Sequence, residues 1–209
     1  MKRVTKKESS AARQFADDLI RQLHQAMKKQ YIFDVRLVGS ARWNTILKEP
    51  GKLWDIDYQI LLSNNSKIYK ENHFNNPTKI KEDFFNFFSN LLKNKNGLKV
   101  ENSTTAVTVI NKKSGYSFDF VIIKDNSHII RRNNNDKTGR NLYTWNMLKK
   151  YDEAYSLFND LSAEDKQILI EKYILPRKIK EKAKNDNDPT KRSSCEVFIE
   201  EVNNHVTRR

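Results

Sequence analysis

The sequence holds one cysteine, Cys195, among 209 residues, and a single thiol cannot close an internal disulfide. That count excludes a secreted, disulfide-stapled scaffold and makes a reducing compartment the expected home. No stretch approaches the roughly 20 apolar residues that a bilayer span needs, and the basic N-terminus MKRVTKKESSAARQF lacks the apolar core of a signal peptide. The expectation is a cytoplasmic protein with no membrane partner. His24, His73, His128 and His205 are scattered, with no Cys or His at ligand spacing, so a zinc site is not expected. Neither G-x-x-x-x-G-K-[ST] nor G-x-G-x-x-G occurs, and there are no internal repeats, sustained heptads or long low-complexity linkers.

What the chain has in excess is positive charge, +13 overall. Residues 1–13 carry five basic and one acidic side chain, residues 131–150 six and one, and residues 177–192 seven and three, which accounts for the whole excess. The remaining residues are neutral overall. Such segments attract nucleic acid or nucleotide phosphate by steering and counterion release. Lys (27) outnumbers Arg (12), and Asn and Ile are abundant, a composition that drift toward A/T-rich codons also produces.

At this length the chain can bury a real core. Apolar residues at three- and four-residue spacing predict a helix over 9–29 behind the cap candidates Ser9 and Ser10. Phe33, Val35 and Leu37 alternate as a strand ending at Gly39-Ser40, and Trp54–Leu62 reads as a second strand. The clearest helical pattern covers 78–93, with Thr78 as cap and Gly97 beyond its end; Val100–Ile110 and Tyr116–Ile123 read as a hairpin around NKKSG. From about residue 140 the period becomes helical. It predicts helices over 141–158, over 168–174 behind a Ser162–Asp165 capping box, and from Ser193 onward, with Pro176 interrupting. The expected fold class is α+β: a mixed, largely antiparallel sheet flanked by helices, with residues 1–135 as the core and 136–209 as a small C-terminal helical segment.

Asp55 and Asp57 sit inside an apolar strand, where alternation puts both carboxylates on one face, roughly 7 Å apart. Asp119 lies in a second apolar strand, Ser117–Ile123. Three strand-borne carboxylates without a neighbouring Lys or Arg in their own strands repel one another unless a cation lies between them. Hard oxygen donors without His or Cys suggest magnesium. A lone Asp-x-Asp is usually a solvated edge, so the inference rests on the joint pattern. Gly39-Ser40 closes the strand just before the pair and can offer backbone N–H groups and a hydroxyl to phosphate.

The array Val38-Gly39-Ser40-Ala41-Arg42-Trp43-Asn44-Thr45, Trp54-Asp55-Ile56-Asp57-Tyr58, Phe118-Asp119-Phe120 resembles the polymerase-β-like nucleotidyltransferase superfamily over residues 33–123. Within it the chain looks most like the oligoadenylate synthase and bacterial cyclic-oligonucleotide synthase branch, by its leading helix, the distance from the pair to the third Asp, and the trailing helical segment. Asn44 stands where such synthases usually have Gly, and fourteen residues separate Ser40 from Asp55, a slightly long spacer.

The resemblance implies that Asp55, Asp57 and Asp119 are catalytic and hold two Mg2+ ions, with Mn2+ as the substitute, and that Gly39, Ser40 and Thr45 bind the nucleotide. Lys149, Lys150 or Lys178 would reach the triphosphate; Lys149 is taken as the first candidate. Tyr116, Tyr143 and Trp145 are the aromatics considered for the base, and Thr104 and Thr105 the threonines near the site, although core packing and β-propensity also explain them. Cys195 reads as a packing residue. The implied activity is template-independent transfer of NMP from an NTP to a hydroxyl, making an oligo- or cyclic nucleotide in bacterial defence. The alternatives are modification of an RNA end, such as tRNA, and a non-catalytic nucleic-acid-binding module. Cationic aminoglycoside acceptors are disfavoured by like charge.

Overall fold

The computed structural model describes residues 1–63, 76–133, 142–148 and 152–208. A two-residue strand β1 (Lys2–Arg3) leads into helix α1 (Lys6–Met27). The helix starts earlier than Ser9 and Ser10 would place it, because Thr5 and Glu8 form a reciprocal capping box and Ser9 is buried in the helix body. Strand β2 (Phe33–Val38) turns into a single helical turn, α2 (Gly39–Arg42). There follow β3 (Leu47–Lys48), which pairs with β1, and β4 (Trp54–Leu62). Helix α3 (Pro77–Leu92) is capped by Asn76, whose side chain accepts from Lys79 N at 3.0 Å. Thr78 instead accepts from Tyr143 N at 2.8 Å.

The segment expected as one strand over 100–110 is two, β5 (Leu98–Asn102) and β6 (Ala106–Asn111), folded on each other about Ser103, whose hydroxyl accepts from Ala106 N at 3.0 Å. β6 then forms the expected hairpin with β7 (Tyr116–Lys124). Strands β8 (His128–Arg132) and β9 (Tyr143–Met147) extend the sheet. β9 corrects the expectation of a helix beginning at 141. Tyr143, Trp145 and Met147 recur at the strand period of two, and the helix, α4, occupies only Asp152–Asp160.

The seven-stranded sheet runs β2-β4-β7-β6-β5, with β8 pairing the far end of β7 and β9 outside it. Only β4 and β7 pair in parallel; the other neighbours are antiparallel. This is the mixed α+β sheet the sequence implies. One face presents Ile56, Tyr58, Ile60, Phe118, Phe120 and Ile122 to Ala12, Ala16, Leu19 and Leu23 of α1 and Ile80, Phe84 and Phe88 of α3. Phe88 stacks on Phe120 with centroids 4.7 Å apart.

Helix α5 (Ala163–Ile168) runs on through a widened π-helical segment, Leu169–Ile174, into α6 (Leu175–Ala183), and a second apolar cluster joins α4, the π-helical segment and α7 (Ser194–Thr207). Pro176 therefore does not break the helical path. Proline removes an N–H and crowds the preceding turn, and the wide turn just before it accommodates both effects. No described helix is long and apolar enough to cross a membrane.

Candidate active site

Alternation along β4 sends Trp54, Ile56, Tyr58, Ile60 and Leu62 into the core and leaves Asp55, Asp57 and Gln59 on the other face. The parallel register sets Asp57 beside Asp119 of β7 and Asp55 beside Ser117, and Thr108 of β6 lies opposite Asp119. Hydroxyls serve two of the three carboxylates: Ser117 donates to Asp55, and Thr108 Oγ1 donates to Asp119 Oδ1 at 2.6 Å. Burial, then the charges of Asp119 and Asp55, push the Asp57 carboxyl up to about 6, against the pull of Lys178. Burial raises Asp119 as well, opposed by the Thr108 hydrogen bond and aided by Asp55. The result is a patch of negative charge short of positive charge.

Among the described residues, no three carboxylate, imidazole or thiol groups are gathered tightly enough to form a ready metal cage. The donor set nonetheless fits a hard divalent cation. It has oxygen ligands only, two of them on directly paired strand positions, and a carboxyl whose ionisation is resisted where no cation offsets its neighbours.

Gly39 follows the strand residue that pairs with Asp57. Its φ of +62° is left-handed, and a Cβ there would lie 2.5 Å from Asp57 Oδ2. Only glycine lets the turn approach the carboxylate so closely. Asn44 carries a φ of +55°. Asparagine is among the few side-chain-bearing residues that adopt this conformation readily, so it can stand where related sequences have glycine.

Lys178 of α6 is 2% exposed and reaches across to this turn. Its Nζ donates to Ser40 Oγ at 2.8 Å, Thr45 O at 2.7 Å and Thr45 Oγ1 at 3.3 Å. Burial, then the nearby Lys182, push its ammonium down to about 8, although Asp57 and Cys195 act the other way. Because Ser40 Oγ accepts from a cation, its own hydrogen is polarised and available to an anion.

Gly39, Ser40, Thr45 and Asp57 share a cavity of about 250 Å3 with Ser193 and Ser194 at the start of α7. Ser193 caps that helix by accepting from Glu196 N at 3.2 Å. A neighbouring cavity of about 500 Å3 begins at Gly39 and Asp57 and runs beside Arg36 and Gln59 under Trp43 and Tyr155. Together these form one cleft between the polar face of the sheet and the C-terminal helices.

No protein-family model matches the sequence, and no curated protein matches it. Solved structures do. Vibrio cholerae DncV, a cyclic AMP-GMP synthase crystallised with the linear intermediate pppA(3',5')pG, matches with a TM-score of 0.62 at 14% identity, covering 85% of this chain and 48% of that one. The chain has the DncV nucleotidyltransferase fold. The GTP-bound form of DncV matches at 0.60 and 17% identity, covering 85% and 46%, and a complex with GTP and 5MTHFGLU2 at 0.61 and 15%, covering 85% and 49%. The chain spans about half the length of these DncV structures. The resemblance drawn from its motifs is borne out in the fold.

Within this DncV-like core the structure brings together Asp55, Asp57, Asp119, Gly39, Ser40 and Thr45, and of the named lysines it singles out Lys178. Lys149 and Lys150 lie outside the described residues. The three aromatics considered for the base are placed elsewhere. Tyr116 packs on Trp54 and Phe118, Tyr143 is buried over the Lys81 ammonium at 4.3 Å, and Trp145 packs beside Lys124 on β9. Thr104 and Thr105 form the β5–β6 turn, where Thr104 O accepts from Arg132 N.

The aromatics that do wall the cleft are Trp43 and Tyr155, whose centroids lie 6.1 Å apart, and, in the smaller cavity, Phe198. Trp43 was visible as the third residue after Ser40. Tyr155 carries no comparable signal, because its helical spacing equally suits a core position. Cys195, read as a packing residue, lines both cavities, with its Sγ 3.8 Å from Tyr155 Oη.

Proposed function

We propose that this chain is a magnesium-dependent, template-independent nucleotidyltransferase that transfers NMP from an NTP to a hydroxyl, joining nucleotides into an oligo- or cyclic nucleotide signal used in bacterial defence. The observation that carries the reading is the in-register pairing of Asp57 with Asp119, with Gly39 pressed against Asp57 and no side chain between them. In this reading Asp55, Asp57 and Asp119 are the metal ligands. Bound divalent cations would neutralise charge on the α-phosphate and lower the pKa of the acceptor hydroxyl.

The rest of the site supplies positioning. The Ser40 hydroxyl and the backbone of the Gly39 turn hold the β- and γ-phosphates, with the Lys178 charge behind them and the N-terminal end of α7 opposite. The acceptor hydroxyl gives up its proton to water, its oxygen forms a bond to the α-phosphorus as the bond to the bridging oxygen breaks, and pyrophosphate leaves toward Lys178. Of the segment counted from 136 to 209, the described helices from Asp152 onward close the cleft opposite the sheet, and Trp43 and Tyr155 line it.

The test is turnover of radiolabelled NTPs by the purified chain with magnesium, resolved by thin-layer chromatography. The expected result is a small phosphatase-resistant product. Label appearing only in added RNA would assign the acceptor to RNA instead. Turnover surviving in both Asp57→Asn and Asp119→Asn would refute the assignment of these carboxylates.

A further inference from the structure

The larger cavity has a chemically one-sided end. Val38 pairs with Asp57 and Arg36 with Gln59, so Arg36 and Gln59 lie one two-residue step, roughly 7 Å, along the sheet from Asp57. Gly39 and Ser40 continue from Val38 in the opposite direction. A nucleotide with its phosphates between Ser40 and the carboxylates has room to extend its sugar and base toward Arg36 and Gln59. The cavity there, about 500 Å3, is within the size range of small-ligand pockets.

Arg36 Nε donates to Gln59 Oε1 at 2.7 Å. That bond takes one of the two lone pairs of the Gln59 amide oxygen and fixes which way the amide points. What the pair has free is mainly donors, the amide NH2 and the terminal nitrogens of the guanidinium, beside one remaining lone pair on Gln59 Oε1. Among the described residues Arg36 forms no ion pair, and the cation acting on Asp57 is Lys178. Asn126, Ser156 and Asn159, which also line the cavity, can each donate or accept and do not discriminate, and the other lining guanidinium, Arg42, lies over the Trp43 ring at 4.7 Å.

A wall in which donors predominate, with an arginine fork among them, favours a base edge made of acceptors. Guanine offers two adjacent ones, O6 and N7, which match the paired donors of an arginine. Adenine places an amino donor where guanine has O6, cytosine also presents an amino group, and uracil offers a single carbonyl there.

We propose that Arg36, oriented by Gln59, makes this site selective for a guanine nucleotide. The inference rests on the nucleotidyltransferase reading and adds the base to it. It is tested by calorimetric titration of the full chain, in magnesium, with non-hydrolysable analogues of the four NTPs, repeated on Arg36→Met. The expected result is GTP analogue binding roughly tenfold or more tighter than ATP analogue, with the preference lost in Arg36→Met while ATP analogue affinity stays within about twofold. Circular dichroism establishes that the exposed substitution leaves the fold intact.

Binding without base preference, or an equal loss for all four analogues in Arg36→Met, as expected of a phosphate contact, overturns the inference and leaves the nucleotidyltransferase reading standing. Absence of binding by any analogue overturns both.

Discussion

Replacing Asp57 by Asn should make the metal-free protein more stable, although it removes a residue assigned to catalysis. The Asp57 carboxyl is pushed from an ordinary 3.8 to about 6 by burial and by Asp119 and Asp55. With a folded-state pKa above the unfolded one, its favourable contribution is complete below about pH 4 and lost as pH rises through about 6. Two pH units at about 1.4 kcal/mol each put the penalty of the ionised form at about 3 kcal/mol by pH 7, an upper figure because Asn must still satisfy its amide. For a chain of this size that corresponds to a Tm increase of roughly 6–12 °C.

The assay is thermal unfolding of both proteins from pH 4 to 8 in chelator, followed by a magnesium titration at pH 7.5. The curves should nearly coincide at pH 4 and separate through pH 6. Magnesium should then raise the Tm of the wild type and have little effect on the variant, because ligands stabilise only the state that binds them. Parallel pH curves, or equal magnesium shifts, would refute the view that the three carboxylates form one electrostatic unit awaiting a cation.

Lys178→Met should lower triphosphate affinity roughly tenfold or more while leaving that of the corresponding nucleoside nearly unchanged, since a charge-assisted anchor and the polarisation of Ser40 are lost together. Equilibrium binding of ATP, GTP and their nucleosides checks it, and equal losses for nucleotide and nucleoside would point to collapse of the turn instead. Lys81 is fully buried with its Nζ on Ser103 O at 2.7 Å, and burial, with Arg132 nearby, pushes its ammonium from 10.5 down to about 7. Between pH 7 and 9 the unfolded chain therefore holds a proton that the folded chain has lost, and stability rises with pH. Urea unfolding should show the wild type gaining on the order of 2 kcal/mol over this range relative to Lys81→Met, whose curve should lack that rise.

The parts of the fold legible in the sequence were those with a strong period or a spacing dictated by chemistry. β2, β4, β7 and α3 follow from alternation or from a wide apolar stripe, and the carboxylates follow from their placement inside apolar strands. The errors arise where two periods coincide or where a cap lies off the apolar pattern. Residues 143–148 carry aromatic and aliphatic side chains that suit both a strand and a helix, and only pairing with β8 settles β9. Thr5-x-x-Glu8 was a readable capping box, but it precedes the first apolar residue of the stripe by several positions. Lys178 was one of three candidate lysines in the sequence, and nothing local ranks it above Lys149 or Lys150. The distinction comes from the long-range bonds to Ser40 and Thr45.

The same long-range geometry changes the meaning of the positive charge. Residues 177–192 look in sequence like a free basic run facing an anion. In the structure Arg177 is held by Glu200 and Glu201, Lys184 by Glu181, Lys191 by Asp186 and Arg192 by Glu200. Most of these pairs sit at the surface and are individually weak, but they set four of the segment's seven cations against nearby acids, Glu200 and Glu201 of α7 among them. What reaches the cleft is one buried ammonium, already hydrogen-bonded to the turn that follows Gly39. A buried cation with few screening neighbours acts on a phosphate more strongly than several solvated ones. In the proposed function, triphosphate binding therefore depends on Lys178 far more than on the net charge of the segment that carries it.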